Sequence, residues 1–208
     1  MLPGAKRKAT NNGYRGAMYP WESADTGDEV TPRWGAVDIK TGQPIEILTG
    51  KMQQHITADI VYAFFNYFNA TLDQDFLIKY GAPVFVETCR YWRDRIEFND
   101  TSGRYEINNV IGPDEYGEGV NNNAYTNHLV KFQFEKVSEY LKNLRSENPD
   151  AWNEIVKQTA VTEEEMMDWE KTAPQIFTNF QQDKELIVQY DGYFEKKEVD
   201  LSPYRNEA

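Results

Sequence analysis

The chain has 208 residues, of which 40% are hydrophobic and 27% are charged, a composition typical of an ordinary globular protein. Its 22 basic and 34 acidic residues give a net charge of -12, which argues against nucleic acid or an anionic membrane as a partner. We expect no transmembrane helix, because no long apolar run is present.

The cysteine and histidine content bears on the cellular compartment and on metal binding. The single cysteine, Cys89, cannot form an internal disulfide, and no apolar segment typical of a secretory signal follows Met1. We therefore expect a cytoplasmic protein. Two histidines and one cysteine leave almost nothing from which to build a zinc site, so we expect no metal.

Helical periodicity is the dominant secondary-structure signal. The strongest helix is predicted over 54–72, where apolar residues recur at three-to-four spacing and a polar strip contains His55 and Asp59. Because this segment is apolar over most of its circumference, we expect it to lie between layers. Further helices are predicted at 82–98, 123–144 and 149–156. Thr162 and Glu165 match a capping box before one more helix, and the polar tail at 202–208 is expected to be loose.

Two long connections, 13–44 and 103–123, interrupt these helices, and connections of this length are usually functional. The first contains Trp21 and Glu22, directly after Pro20. In a cleft the indole can stack on a sugar while the carboxylate binds its hydroxyls. Equally, Trp21 can fill a hole in the core, and spacing does not decide between these interpretations.

The second connection carries a candidate acid. Gly112 and Pro113 favour a tight turn that presents Glu115, and cleaving a glycosidic bond needs a carboxylic acid to protonate the leaving oxygen. Tyr116 is a candidate for the apolar neighbour that favours the protonated form. Four asparagines offer donors and acceptors for sugar hydroxyls, namely Asn121, Asn122, Asn123 and Asn127. The alternative is a solvated acidic turn followed by a helix N-cap at Asn122 or Asn123, which the residues alone favour.

Four ordered segments strongly resemble glycoside hydrolase family 65: GYRGAMYPWESADTGDE, HITADIVYA, ETCRYWRDR and IGPDEYGEGVNNNAYTN. The resemblance runs from about Leu2 to Tyr204. It implies an all-α fold, the (α/α)6 barrel, with long functional loops. By resemblance Glu115 is the general acid, Trp21 and Glu22 bind the glucosyl unit, and His55 matches a family histidine that we assign to substrate binding.

The resemblance also implies an activity. The family members are disaccharide phosphorylases, in which inorganic phosphate attacks an α-glucoside with inversion to give β-glucose 1-phosphate and a free sugar. Disaccharide and phosphate are then the substrates, no cofactor is needed, and the parent enzyme is expected to be a homodimer. Two alternatives remain: a hydrolase of the same barrel type that uses water, and a catalytically silent fragment that binds sugar weakly at most.

Two segments of the family are missing from this sequence. The family has a W-D-T-E segment upstream that contacts the sugar and a K-Q-A-D segment downstream, which is absent together with the loops that hold phosphate. We therefore predict that residues 1–208 form an interior part of a single (α/α)6 barrel and lack its N-terminal and C-terminal portions.

Overall fold

A computed structural model of the chain describes residues 1–198 together with 200 and 202, and the fold is mainly helical. The α-helices are α1 (Leu2–Asn11), α2 (Thr49–Met52), α3 (Ile56–Thr71), α4 (Gln74–Phe76), α5 (Ala82–Arg95), α6 (Ala124–Glu147), α7 (Pro149–Thr159) and α8 (Glu163–Thr172). A π-helical turn at Leu77–Gly81 leads into α5, and 3-10 turns lie at Ala173–Gln175 and Tyr193–Glu195.

Short antiparallel hairpins lie between the helices. Strand β1 (Trp34–Val37) pairs with β2 (Pro44–Glu46), and β3 (Glu97–Asn99) pairs with β4 (Arg104–Glu106) in the register Glu97 to Glu106. Strand β5 (Phe180–Gln181) pairs with β6 (Leu186–Ile187). No helix in the described part of the chain is long and apolar enough to cross a bilayer. Apart from Ser202, the tail predicted to be loose lies outside the described residues.

The predicted helices are confirmed, with shifted ends. The helix expected over 82–98 ends at Arg95, because the chain there extends into β3.

Helix α1 was not predicted, since Pro3 and Gly4 suggest a turn. Proline is tolerated in the first turn of a helix, where its missing N–H leaves no bond unmade. Gly4 permits a close approach, because a Cβ there would lie 2.3 Å from the backbone of Gly27.

The core lies where α3, α5 and α6 meet. Phe65 of α3 stacks on Phe85 of α5 with ring centroids 4.8 Å apart, and Phe134 of α6 is fully buried. The expectation that α3 is covered over most of its circumference is wrong for this chain. Tyr67, on its apolar face, is 43% exposed.

Helix starts follow the sequence signals closely. The side chain of Asn123 accepts hydrogen bonds from the backbone N–H and the hydroxyl of Thr126, 3.1 Å each, and so caps α6. At the start of α8 both halves of the predicted capping box form between Thr162 and Glu165. The Asn123 cap fixes where the connection 103–123 rejoins the helical core.

Candidate functional site

The loop that carries Trp21 and Glu22 is held by a single carboxylate, Glu29. Its oxygens accept hydrogen bonds from the backbone N–H of Trp21 at 2.9 Å and of Glu22 at 3.2 Å. Lys8 forms an ion pair with the same group, and the hydroxyl of Thr31 donates to it at 2.6 Å. Burial works to raise the pKa of Glu29, but the hydrogen bonds from Lys8 and Thr31 outweigh it and hold that pKa below its ordinary value. The charged carboxylate therefore organises the loop around it.

Trp21, His55 and Tyr125 form a row of rings. The Trp21 and His55 centroids are 6.1 Å apart at 74°, and those of His55 and Tyr125 are 5.2 Å apart at 85°, both edge-to-face. His55 is 4% exposed, whereas Trp21 is half-buried and the Glu22 side chain is exposed. Trp21 therefore does not fill a hole in the core. The structure places its ring beside that of His55, which lies 34 residues later in the sequence (55 − 21).

Hydrogen bonds fix the imidazole of His55 on both sides. Its Nδ1 lies 2.7 Å from Oδ2 of Asp59, one helical turn along α3, and its Nε2 lies 3.3 Å from Nε2 of Gln53. The hydroxyl of Tyr125 donates to Oδ1 of Asp59 at 3.1 Å. Burial and the neighbouring Asp59 carboxylate raise the pKa of Tyr125 to about 12, so this hydroxyl remains a donor at neutral pH.

The backbone preceding Glu115 is anchored to the segment before His55. The N–H of Ile111 donates to the carbonyl of Met52 at 3.0 Å, and the amide of Gln53 donates to the carbonyl of Gly112 at 3.2 Å. Gly112 is required here, because a Cβ at this position would lie 2.2 Å from the amide nitrogen of Asn123. The turn is thus fixed by hydrogen bonds to Met52 and Gln53 and by close packing against Asn123.

Within that turn the two acids have different environments. Asp114 accepts hydrogen bonds from the backbone of Tyr116 at 3.2 Å and from the side chain of Gln189 at 3.0 Å, so it holds the turn together. The carboxylate of Glu115 is exposed and makes no hydrogen bond or ion pair within residues 1–198. The expectation that Tyr116 gives Glu115 an apolar neighbour is wrong for this chain, because Tyr116 is 99% exposed.

Three of the four asparagines after the turn are structural. Asn122 accepts from the N–H of Ile107 at 3.2 Å and donates to Asp191 at 2.8 Å, and Asn127 donates to the carbonyl of Phe177 at 2.8 Å. Both are buried, as is the helix cap Asn123. For Asn122, Asn123 and Asn127 the proposed reading of sugar hydroxyls is therefore wrong, and the N-cap interpretation is confirmed at Asn123. Asn121 is exposed, and its side-chain oxygen accepts from the N–H of Asn109 at 3.0 Å.

A cleft of about 630 Å³ lies beside Trp21, within the roughly 300–1,000 Å³ range of small-molecule sites. Its walls are mostly apolar, including Tyr19, Ile56, Ile60, Phe64 and Val84. Sugar hydroxyls need hydrogen-bonding partners, which such walls supply poorly. Across the described residues, no group of three or more His, Cys, Asp or Glu side chains is arranged to hold a metal ion.

Sequence reasoning did not assign four residues of this region to the site: Glu29, Gln53, Asp59 and Tyr125. The four-residue spacing of His55 and Asp59 is a visible signal, since these positions are neighbours on a helix. Gln53 and Glu29 give no such signal. Gln53 meets Gly112 and Glu29 meets Lys8 across separate segments, and the bonds that Glu29 accepts within its own loop follow no helical or strand spacing. Glu115 makes no direct hydrogen bond to the row of rings, and Gln53 joins the two parts.

Comparison with known proteins places the chain in one family. The profile of the glycosyl hydrolase family 65 central catalytic domain matches residues 1–208. A kojibiose phosphorylase from Halothermothrix orenii is 48% identical over 207 residues, which cover 100% of this chain and 26% of that protein. A protein-glucosylgalactosylhydroxylysine glucosidase from Dictyostelium discoideum is 39% identical over 174 residues, covering 81% of this chain and 23% of that protein.

A solved structure shares the fold. It comes from the human microbiome and is provisionally named a kojibiose phosphorylase. The match has a TM-score of 0.81 at 22% identity and covers 99% of this chain and 28% of that chain. The chain thus spans about a quarter of the length of the curated relatives it matches. On its full-length match to the catalytic-domain profile and its identity to these relatives, the chain belongs to glycosyl hydrolase family 65.

Proposed function

We propose that the protein formed by this chain is a disaccharide phosphorylase that cleaves kojibiose with inorganic phosphate. The observation that carries the proposal is the 48% identity to a kojibiose phosphorylase along the whole chain. We further propose that residues 1–208 are part of a single (α/α)6 barrel, an interpretation supported by the mainly helical fold and the likeness to the solved family structure.

Glu115 is proposed as the general acid. Its exposed carboxylate stands on a turn whose backbone is fixed, so it is available to a substrate. In the protonated form it gives its proton to the glycosidic oxygen as the bond to the anomeric carbon breaks. A phosphate oxygen forms the new bond from the opposite face, which inverts the α-linkage to β-glucose 1-phosphate. The carboxylate regains a proton from dihydrogen phosphate or water, and the second product is a free sugar.

Trp21, Glu22 and His55 are proposed to bind the glucosyl unit. An indole face stacks on the apolar C–H face of a pyranose, and the exposed Glu22 carboxylate accepts hydrogen bonds from hydroxyls. Phosphate itself acts as the nucleophile, so no second carboxylate is needed to activate water. The turn agrees with a single catalytic acid. Asp114 accepts hydrogen bonds that hold the turn, whereas the Glu115 carboxylate makes none within the described residues.

Hydrolysis by water is the second candidate activity, and it is favoured by one observation. The Dictyostelium discoideum relative is named a glucosidase, and it is 39% identical over 81% of this chain. The third candidate is that the 208-residue chain by itself is catalytically silent and binds sugar weakly at most. Phosphate dependence separates the first two candidates.

Product analysis tests the proposal. The purified protein is incubated with kojibiose, nigerose, trehalose or maltose, with and without phosphate, and products are identified by NMR. We expect β-glucose 1-phosphate from kojibiose only when phosphate is present. Glucose released at equal rates without phosphate would establish the hydrolase instead, and no product under any condition would establish the silent chain.

The role of the acid is tested by Glu115→Gln, which keeps the shape and removes the proton donor. We expect phosphorolysis to fall at least about 100-fold, within the range of losses for a general acid, with an unchanged circular dichroism spectrum. Asp114→Asn in the same turn is the matched comparison and should retain far more activity. Near-normal turnover of Glu115→Gln would refute the assignment.

A further inference from the structure

The side-chain amide of Gln53 links two parts of the site. Its nitrogen, Nε2, lies 3.2 Å from the carbonyl oxygen of Gly112, three residues before Glu115, and 3.3 Å from Nε2 of His55. Gln53 is 2% exposed and Gly112 is buried, so water does not compete strongly for these bonds.

The carbonyl of Gly112 determines which way the Gln53 amide points. A carbonyl oxygen can only accept, so the group facing it must be the NH₂ and not the oxygen of Gln53. The same NH₂ then presents its second hydrogen to Nε2 of His55. That nitrogen must accept, which places the proton of a neutral imidazole on Nδ1, where it donates to Asp59 at 2.7 Å.

The result is a continuous series of hydrogen bonds. It runs from the hydroxyl of Tyr125 to Asp59, from His55 to the same carboxylate, and from Gln53 both to His55 and to Gly112. Every donor in the series has an acceptor. Inverting the Gln53 amide would place two oxygens against each other at Gly112 and would require a proton on Nε2 of His55.

The remaining atom of this amide supports a positioning role. Oε1 of Gln53 is buried and has no hydrogen-bond partner among the described residues. An unpaired buried acceptor is destabilising, so this amide is held by its NH₂ group alone. The bonds of that NH₂ group join His55 to the turn of Glu115.

We propose that Gln53 is a positioning residue that fixes the His55 tautomer and, through Gly112, the backbone that presents Glu115. The kinetic part of this inference rests on the proposed function, because it takes Glu115 as the acid. The tautomer part does not, because it follows from the hydrogen bonds alone. Gln53 itself touches no reacting atom.

Two identical substitutions at neighbouring buried glutamines provide the test. Gln53→Glu keeps the size and removes both donors, so it sets oxygen against the Gly112 carbonyl. Gln54→Glu is the matched control: Gln54 is 9% exposed, and its oxygen accepts from Tyr91 at 3.0 Å and from Arg95 at 2.8 Å, acceptor bonds that a glutamate retains. It loses one long donor bond, from its amide to the carbonyl of Lys51 at 3.4 Å, which does not involve His55 or Gly112.

Kinetics of the active protein give the first readout. A misplacement of about 1 Å can cost about 100-fold in rate, so we expect Gln53→Glu to lower kcat for phosphorolysis between tenfold and 100-fold, by a larger factor than any change in KM. Gln54→Glu should stay within about threefold of the unsubstituted protein. Equal kcat values for both variants would overturn the kinetic inference. A lack of phosphorolysis in the unsubstituted protein would instead refute the proposed function.

Histidine NMR gives the second readout and needs no activity. The chain has only two histidines, His55 and His128, so ¹⁵N-histidine signals are assigned with a His128→Gln variant. We expect the neutral His55 ring to carry its proton on Nδ1, and Gln53→Glu to bring a proton onto Nε2 facing the new carboxylate. A proton already on Nε2 in the unsubstituted protein would overturn the inference, as would an unchanged ring in Gln53→Glu.

Discussion

Arg90 on α5 and Glu165 on α8 form a two-pronged ion pair, with Nε to Oε1 at 2.7 Å and Nη2 to Oε2 at 2.8 Å. The same carboxylate accepts from the backbone N–H of Thr162 at 3.2 Å, which completes the capping box. Arg90 also donates to the carbonyl of Thr159 at 2.9 Å. One acidic side chain thus starts α8 and docks it against α5.

Removing the negative charge of Glu165 should destabilise the fold. The Arg90 and Glu165 side chains are 15% and 22% exposed, and Glu165→Gln removes the two-pronged ion pair and leaves the largely buried guanidinium with its longer contact to Glu87 at 3.3 Å. We expect the free energy of unfolding to fall by roughly 2–3 kcal/mol, measured by urea denaturation. The control on the same helix is Glu170→Gln. Its partner is Lys142 in an exposed pair, so the cost should stay below about 1 kcal/mol. Equal costs for the two variants would contradict this account.

Stability should also depend on pH through this carboxylate. Burial acts to raise the pKa of Glu165, but the hydrogen bond and charge of Arg90 dominate and lower it below the ordinary value of 4.5. A lowered pKa in the folded state means that the contribution is fully present above about pH 4.5. It is lost as the pH falls through the folded value. We expect urea midpoints to decrease below pH 4.5, and to decrease less steeply in Glu165→Gln. Parallel curves for the two proteins would show that other groups cause the effect.

Glu29 should control the loop that carries Trp21. Glu29→Ala removes the acceptor for the backbone N–H of Trp21 and one of two acceptors for that of Glu22, and it leaves Lys8 without its ion-pair partner, at about 1–3 kcal/mol for each part-buried group that loses its partner. We expect a red-shifted tryptophan emission and a KM for disaccharide raised about tenfold or more.

The control for that loop is its neighbour. Asp28→Ala breaks an exposed pair with Arg7, whose partners are 48% and 53% exposed, and an exposed hydrogen bond from the Thr26 hydroxyl at 2.7 Å, so emission and KM should change little. If Glu29→Ala behaved like Asp28→Ala, Glu29 would not be the anchor of the loop.

Gly112→Ala should distort the turn of Glu115. The added Cβ would lie 2.2 Å from the Asn123 amide, which is held as the N-cap of α6 by two hydrogen bonds to Thr126. Either the cap or the turn must move, so we expect a loss of about 2 kcal/mol in unfolding free energy, together with a large fall in kcat. Gly35→Ala is the control, because its nearest neighbour is the flexible end of Ile47 at 3.3 Å. A normal kcat in Gly112→Ala would mean that the turn tolerates the shift.

Helices and their starts could be predicted from the sequence because their causes are local. Three-to-four spacing places side chains on one face, and caps act over three residues, as at Thr162 and Glu165. Helix α1 was missed because Pro3 and Gly4 favour a turn by local preference. Its packing on Gly27 is a contact between distant segments.

In the candidate site, too, some features could be predicted from local sequence and others depend on tertiary contacts. The motif containing Glu115 is visible in the sequence, and so is the adjacent pair Trp21 and Glu22. The sequence could not distinguish asparagines that read sugar hydroxyls from asparagines that cap a helix and hold a loop, since both uses need the same amide group. Burial and partners decided it: Asn122 and Asn123 are each 2% exposed and are engaged within the fold.

By itself the sequence determined the helical framework, the family resemblance and the identity of the candidate acid, because these depend on local periodicity and on ordered motifs. Only the tertiary structure decided that Gln53 joins His55 to the turn of Glu115 and that Glu29 holds the Trp21 loop. The physical reason is that a hydrogen bond depends on distance and direction in space. Gln53 and Gly112 are 59 residues apart, and no local pattern records that they meet.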